Sequence, residues 1–454
     1  MHIRRCLLSL VFLALGSAGA ARGQDRAAQA RTVDSIVEAA LTGGRVAGMA
    51  VAVVQGKDTV VLKGYGKVDL EWDVATPTNA IYEIGSVTKQ FTAAAILQLV
   101  EQGKLDLSAD ISTWLPASLT RGKQIPLRRL LDHTSGIKGY TEMSSFGSLA
   151  VQKLPRDTLV ALVSAEPFDF DPGEGLIYNN TGYFLLGLIL EKVTGQPYAQ
   201  YVKEKLFDVA GMPDSRYCSE STVVGRRAHG YDGSPSGLIR ARYLDHTWPF
   251  AAGSLCSTVG DMVAWQRALH GGRILGATAY REMLTTARLN DGTVTRYATG
   301  LVPGPVAGHQ AISHGGGING FLSEAVWFPE TDTHVIVLIN STGPVAPARV
   351  AEEIAKVVLG AGEPAATMAY PGDLAALAGT YSGVGRGRPL EITILAAGDS
   401  LKVRTGTGQP AALSYIGNDT FEVGGRRFTF LTSGGEVLVR ADLVSVVSVL
   451  RPKK

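Results

Sequence analysis

Residues 84–100 read IGSVTKQFTAAAILQLV, and Gly103 closes the run. Phe91, Ala93, Ala94, Ala95, Ile96, Leu97, Leu99 and Val100 leave almost no polar face, so the spacing predicts a core helix over 87–102. A helix apolar on every side needs layers around it. Upstream, Gly48 to Val54 is a continuous valine-rich run, which reads as a buried strand. Asp58 to Tyr65 pairs with it across Gln55-Gly56-Lys57 as a hairpin. Ala28 to Leu41 is a helix before that strand, stopped by Gly43 and Gly44. Downstream, Leu322 to Phe328 and His334 to Ile339 are strands again, and Arg349 to Leu359 is a helix.

The stretch between, 105–270, is mostly helices and loops. Gly182 to Val193 is helical and closed by Gly195. Thr258 to His270 opens on a Thr258-x-x-Asp261 capping box and ends at Gly271-Gly272. Strands open and close the region with helices inside it, so the economical fold is α/β: one domain, 24–360, whose N- and C-terminal segments share a sheet. Pro364 and Pro371 mark a linker over 361–372. From 373 to 454 the period becomes two. Leu390-Glu391-Ile392-Thr393-Ile394 and Leu401-Lys402-Val403-Arg404 alternate, Phe421 and Val423 face Phe428 and Phe430 across Gly424-Gly425, and Val437 to Val449 adds strand. This reads as a small antiparallel barrel or sandwich.

A chain of 454 residues accommodates this large domain and a small one. With 45% hydrophobic and 19% charged residues it is globular despite 54 glycines. Lys+Arg 43 against Asp+Glu 41 leaves +2, no excess with which to hold nucleic acid. Three cysteines are too few for a disulfide scaffold or a Cys-based zinc site. Arg4 and Arg5, an apolar run from Cys6 to Leu15 and the small residues Ala18-Gly19-Ala20 have the layout of a secretory signal peptide over 1–20. The run is about ten residues, too short to span ~30 Å of hydrocarbon, so the mature chain is expected in the periplasm or outside the cell, with no membrane span. Export leaves Cys218 and Cys256 as the remaining cysteines. An oxidising compartment permits a bridge between them; the alternative is two separate buried thiols.

Signatures of metal hydrolysis, nucleotide binding and the G-x-S-x-G elbow are absent, and no metal or cofactor is expected. What remains is Ser-x-x-Lys, a hydroxyl with an amine one helical turn away. It occurs twice, at Ser86/Lys89 and Ser135/Lys138. A pattern this short arises by chance about once in such a chain, so context must separate the two. Ser86 opens the buried helix, where unpaired N–H groups face it and the core can lower a lysine pKa. Ser135 is followed by glycine among loop residues. Tyr178-Asn179-Asn180 precedes a helix; a phenol can shuttle a proton and an amide can hold a carbonyl, or the segment is a turn with a packed tyrosine. Ser313-His314-Gly315-Gly316-Gly317 lets a backbone approach a ligand closely, or is a plain glycine turn.

In this order, the three elements resemble the β-lactamase-related serine hydrolases: class C β-lactamases, D-Ala-D-Ala carboxypeptidases, D-aminopeptidases and related esterases. That family's triplet is Ser-x-x-Lys, Tyr-x-Asn and Lys- or His-x-Gly, matched by Ser86/Lys89, Tyr178/Asn180 and His314/Gly316. Leu130-Leu131-Asp132-His133-Thr134-Ser135-Gly136 is similar to a structural segment of the family, which demotes Ser135/Lys138. The resemblance covers roughly residues 30–360 and implies an antiparallel sheet flanked by helices with an inserted helical region. The tail resembles a lipocalin-like β-barrel. It implies Ser86 as nucleophile, Lys89 with Tyr178 moving the proton, the N–H groups of Ser86 and Gly317 as oxyanion hole, and Asn180, His314 and Gly316 against the substrate. Many relatives carry lysine where this chain has His314, and a neutral imidazole attracts a substrate carboxylate less. The expected partner is a small-molecule or peptide substrate, an amide first and a carboxylester second; a penicillin-binding sensor without turnover is the non-catalytic alternative. His133 is expected to be structural, with nothing placing it near Ser86. Whether the tail covers the cleft, and the oligomeric state, stay open.

Overall fold

The computed structural model describes residues 25–42, 46–362 and 368–453. The expected signal peptide lies outside them. Strands β1 (Gly48–Gln55), β2 (Asp58–Asp69), β3 (Val302–Val306), β4 (His309–Ile318), β5 (Phe321–Phe328) and β6 (Thr333–Ile339) form an antiparallel sheet in the order β3-β4-β5-β6-β1-β2, with Val74–Ala75 beyond β2. β1, from the front of the chain, pairs with β6, from the back: Met49 lies opposite Ile339 and Val51 opposite Val337.

The run of valines in β1 is explained by burial on both faces. Met49, Val51 and Val53 pack with Val33 and Val37 of α1 (residues 25–42) and Ile354 of α5 (Pro347–Leu359). Ala50, Ala52 and Val54 face the opposite layer, which holds α2 (Thr88–Glu101), α3 (Asn180–Thr194) and α4 (Val259–His270). Helix α2 is buried at every residue from Thr88 to Leu97 and at Leu99, as its composition demands.

Gly195 ends α3 in the left-handed conformation, φ 68°. The capping box on α4 is half formed. The Thr258 hydroxyl accepts the Asp261 N–H, but the Asp261 carboxylate turns away to accept from Ser215 Oγ and the Asp214 N–H. Cys218 and Cys256 are bridged, with Cα atoms 5.3 Å apart, beside the short strand Tyr82–Glu83 that leads to Ser86.

The tail is a closed eight-stranded barrel. Strands β7 (Gly379–Gly383), β8 (Leu390–Ala397), β9 (Ser400–Thr405), β10 (Ala411–Gly417), β11 (Thr420–Val423), β12 (Arg426–Ser433), β13 (Glu436–Asp442) and β14 (Val446–Pro452) pair in sequence, and β14 returns to β7 through Tyr381 opposite Pro452. Alternation decides the interior: Ile392, Ile394, Leu401, Val403, Phe428 and Phe430 point in. The stretch 437–449 is divided by a turn at 443–445, where Val444 has φ 68°.

Candidate active site

Ser86 sits on a single 3-10 turn, Gly85–Val87, and α2 proper starts two residues later at Thr88. The serine therefore does not cap α2; it precedes it. Gly85 has φ 51°, and a Cβ there would come within 2.9 Å of the Gly317 backbone. On the facing strand, a Cβ on Gly316 would lie 2.2 Å from the Ile84 carbonyl and 2.3 Å from Ser323 Oγ. Only glycines permit this approach. It is fixed by Ser323, whose hydroxyl donates to the Ile84 carbonyl at 2.8 Å. The His314-Gly315-Gly316-Gly317 segment is thus extended strand, not a turn. β3 pairs with β4 only as far as Ser313, which leaves the remainder of that edge to the serine turn.

Lys89 lies one turn beyond Ser86 and is wholly buried. Its Nζ is 3.0 Å from Ser86 Oγ, 2.8 Å from Asn180 Oδ1 and 2.8 Å from the Ala252 carbonyl. The two carbonyl oxygens can only accept. A neutral amine has two N–H bonds for them and one lone pair left for the Ser86 O–H. Burial pushes Lys89 well below the ordinary lysine range, helped by the positive charge of Arg386 and opposed by Glu142. The Ala252 carbonyl is held in place from α2 itself. Thr92 Oγ1 donates to the Ala251 carbonyl at 2.6 Å, and the Leu255 N–H donates to Thr88 Oγ1 at 3.1 Å.

Asn179 caps α3, accepting the Gly182 N–H at 2.9 Å, so Asn180 opens that helix and aims at Lys89. Tyr178 precedes the cap, with its ring centroid 4.8 Å from Lys89 Nζ. Its hydroxyl is buried without a hydrogen-bond partner of good geometry among the described residues. Burial raises its pKa, while the neighbouring Ser86 hydroxyl and then Arg386 pull it down. Ser86, Asn180 and Gly317 line a cleft of about 140 Å³ with Tyr140, Thr141 and Asn319.

His314 is 4% exposed, and both ring nitrogens are engaged. The carbonyl of Gly315 can only accept, so Nδ1–H donates to it at 2.6 Å and Nε2 accepts from the Tyr297 hydroxyl at 2.9 Å. Burial, with Lys89 beside it, pushes His314 down to about 3. The third element therefore carries no charge at neutral pH. The expectation that nothing places His133 near the site is corrected: its ring lies 4.4 Å from that of Tyr178 and 4.5 Å from that of Tyr297. There its Nδ1 accepts the Asn179 N–H at 3.2 Å. Burial keeps it neutral too.

The second Ser-x-x-Lys pair is built differently. Ser135 Oγ accepts the Ile137 N–H at 3.3 Å, and Lys138 is locked to Asp169 at 2.7 Å. Sequence reasoning missed Thr141, Glu142 and Arg386 around Asn180. It also missed Glu324, a buried carboxyl pushed up to about 8 on the strand beside Gly315. Only Glu324 left a signal, an acid inside the apolar run of β5.

A half-buried serine against a buried lysine, beside a phenol and a glycine-edged strand, is an arrangement able to supply a nucleophile and its base. The chain belongs to the beta-lactamase family, whose model matches residues 33–359. It is 27% identical to penicillin-binding protein 4* of Bacillus subtilis (strain 168) over 64% of this chain and 67% of that one. It is 26% identical to a D-aminopeptidase of Gluconobacter oxydans (strain 621H) over 67% of this chain and 58% of that one. The chain thus spans about two thirds or less of these relatives' length. The structure of an octameric penicillin-binding protein homologue from Pyrococcus abyssi superposes with TM-score 0.64 at 25% identity, covering 92% of this chain and 99% of that one.

Proposed function

We propose that this protein is an exported serine hydrolase that cleaves amide bonds, such as those of D-amino-acid peptides or amides, through an acyl-enzyme on Ser86. One observation carries the reading: Lys89 Nζ, wholly buried, lies 3.0 Å from Ser86 Oγ while the Asn180 and Ala252 oxygens hold it at 2.8 Å, so a neutral amine there has its lone pair within reach of the serine proton. As Ser86 Oγ attacks the substrate carbonyl, its proton passes to Lys89. With Tyr178 alongside, that proton reaches the leaving nitrogen as the C–N bond breaks. The N–H groups of Ser86 and Gly317 receive the oxyanion; one such donor is typically worth ~3–4 kcal/mol. Water then attacks the ester and frees the serine.

A neutral His314, with both nitrogens occupied, offers no cation to a substrate carboxylate. This favours an aminopeptidase or amidase over an enzyme reading a free C-terminus, in keeping with the D-aminopeptidase likeness. Intact-mass analysis with D-alanine p-nitroanilide, a D-Ala-D-Ala peptide, p-nitrophenyl acetate and penicillin G tests the reading. Anilide turnover that disappears in Ser86→Ala supports it. A stable penicillin adduct with no turnover of any substrate contradicts it.

A further inference from the structure

The barrel is stitched to the segment that carries the catalytic phenol. β14 adds to the short strand Leu176–Ile177, Val446 opposite Ile177 and Val447 opposite Leu176, and the Tyr178 N–H donates to the Ser445 carbonyl at 2.7 Å. Arg296 grips the Asp442 carboxylate with two bonds, at 2.8 and 3.0 Å, and Arg440 reaches Asp291 at 2.7 Å. This docking brings the loop between β7 and β8 against Glu142 and Thr141, the latter a residue of the cleft wall. At its tip stands Arg386, flanked by Gly385 and Gly387. Gly387 has φ 69°, and a Cβ there would lie 3.0 Å from Glu142 Cγ, so the loop backbone rests directly on that acid.

From Arg386 a continuous set of contacts runs to the amine. Nε donates to Glu142 at 2.5 Å and Nη2 to Thr141 Oγ1 at 3.3 Å. Thr141 Oγ1 donates to Glu142 Oε1 at 2.9 Å. Asn180 Nδ2 donates to Thr141 Oγ1 at 3.5 Å, and Asn180 Oδ1 accepts from Lys89 at 2.8 Å. The guanidinium also lies 5.4 Å from the centroid of the Tyr178 ring. Glu142 is 10% exposed and Arg386 38%.

We propose that Arg386, supplied by the barrel, is a positioning residue of the catalytic site: paired with Glu142, it holds the Thr141–Asn180 arm against Lys89 and sets how readily that amine takes the serine proton. This rests on the reading of Lys89 as the base. The other titratable groups around Lys89 are Tyr178, Tyr183, His133 and His314, with Tyr297 packed behind them against His133 and His314. Burial keeps all of them uncharged, which leaves Arg386 and Glu142 as the charges acting on the amine. Arg386 favours the free amine and Glu142 the ammonium, so the two residues have opposite signs of effect.

The test is the pH dependence of Ser86 labelling by diisopropyl fluorophosphate, followed by intact mass, which needs no knowledge of the substrate. Reactivity rises as the Lys89 ammonium loses its proton. Arg386→Gln should move that limb to higher pH by roughly one unit, about tenfold slower labelling below it. Glu142→Gln should move it to lower pH, the double variant should lie between the two, and Arg386→Lys should stay near the parent. If Arg386→Gln does not fold, the Glu142→Gln shift and the Arg386→Lys rescue still decide the sign. A limb unmoved in Arg386→Gln and Glu142→Gln, or moved the same way by both, overturns the proposal. A parent protein that is not labelled on Ser86 at any pH overturns the base reading and this proposal with it.

Discussion

Two segments of this protein spell serine, two residues, lysine, and the structure gives them opposite fates. Ser86, on the 3-10 turn, and Lys89, on the buried helix that follows, meet in a site where every oxygen bonded to the amine is neutral: the serine hydroxyl and two carbonyls. Lys138 lies against a carboxylate, Asp169, and the two neutralise each other. The spacing is identical. The difference is what touches the nitrogen: Lys89 meets only neutral oxygens in a buried pocket, which disfavours the ammonium, whereas Lys138 meets a carboxylate. A motif of this kind is therefore a statement about geometry, and its chemistry comes from the neighbours.

The contrast can be tested in descending order of effect. Ser86→Ala should lower kcat on any substrate turned over by about 10⁶-fold, while Ser135→Ala stays within a few-fold, measured as initial rates on folded protein. Lys89→Met should cost about 10³–10⁴-fold in kcat/KM. Lys138→Met should leave the rate within a few-fold and instead cost about 1–3 kcal/mol in a denaturant melt, because Asp169 loses its partner. Comparable rate losses in the two lysine variants would erase the distinction. Gly316→Ala wedges a methyl between the strand and Ile84, and should reduce kcat by about 10²-fold with the fold retained by circular dichroism.

A subtler version of the contrast compares two acids, the half-buried Asp169 and the buried Glu324. Asp169 has Lys138; Glu324 has no cation partner among the described residues and is pushed up to about 8 by burial. A carboxyl whose folded value is raised costs nothing below its unfolded value near 4.5, and its penalty grows as pH rises from there to about 8. Glu324→Gln should therefore stabilise by about 2–4 kcal/mol at pH 8.5 and leave Tm unchanged at pH 4. A gain of equal size at both pH values would mean the effect is packing, not ionisation.

What could be read in the sequence is what local patterning controls. The apolar surround of α2, the valines of β1 and the two-residue period of the barrel each follow from how much of an element is buried, and each announces itself within ten or so residues. The glycines of 315–317 signalled close approach but not conformation, since a strand running against a 3-10 turn needs them as much as a turn does. β3 was illegible because Pro303 and Pro305 argue against a strand; it survives at the sheet's edge, where missing donors are tolerated. The partnership of Arg386 with Glu142 spans 244 residues and exists only because the barrel docks beside Tyr178. No spacing or periodicity encodes a contact between a loop of one domain and a short turn of another. The position of His133, read as structural, was hidden for the same reason: its place beside Tyr178 depends on a tertiary stack of rings.

The central claim is that Lys89 is an unprotonated amine at neutral pH. Nitrogen-15 NMR of protein labelled at lysine Nζ tests it directly, with Lys89→Arg identifying the resonance. The account predicts one lysine titrating well below the rest and holding a neutral-amine shift at pH 7. A Lys89 resonance that stays an ammonium up to the ordinary lysine value of 10.5 would contradict it.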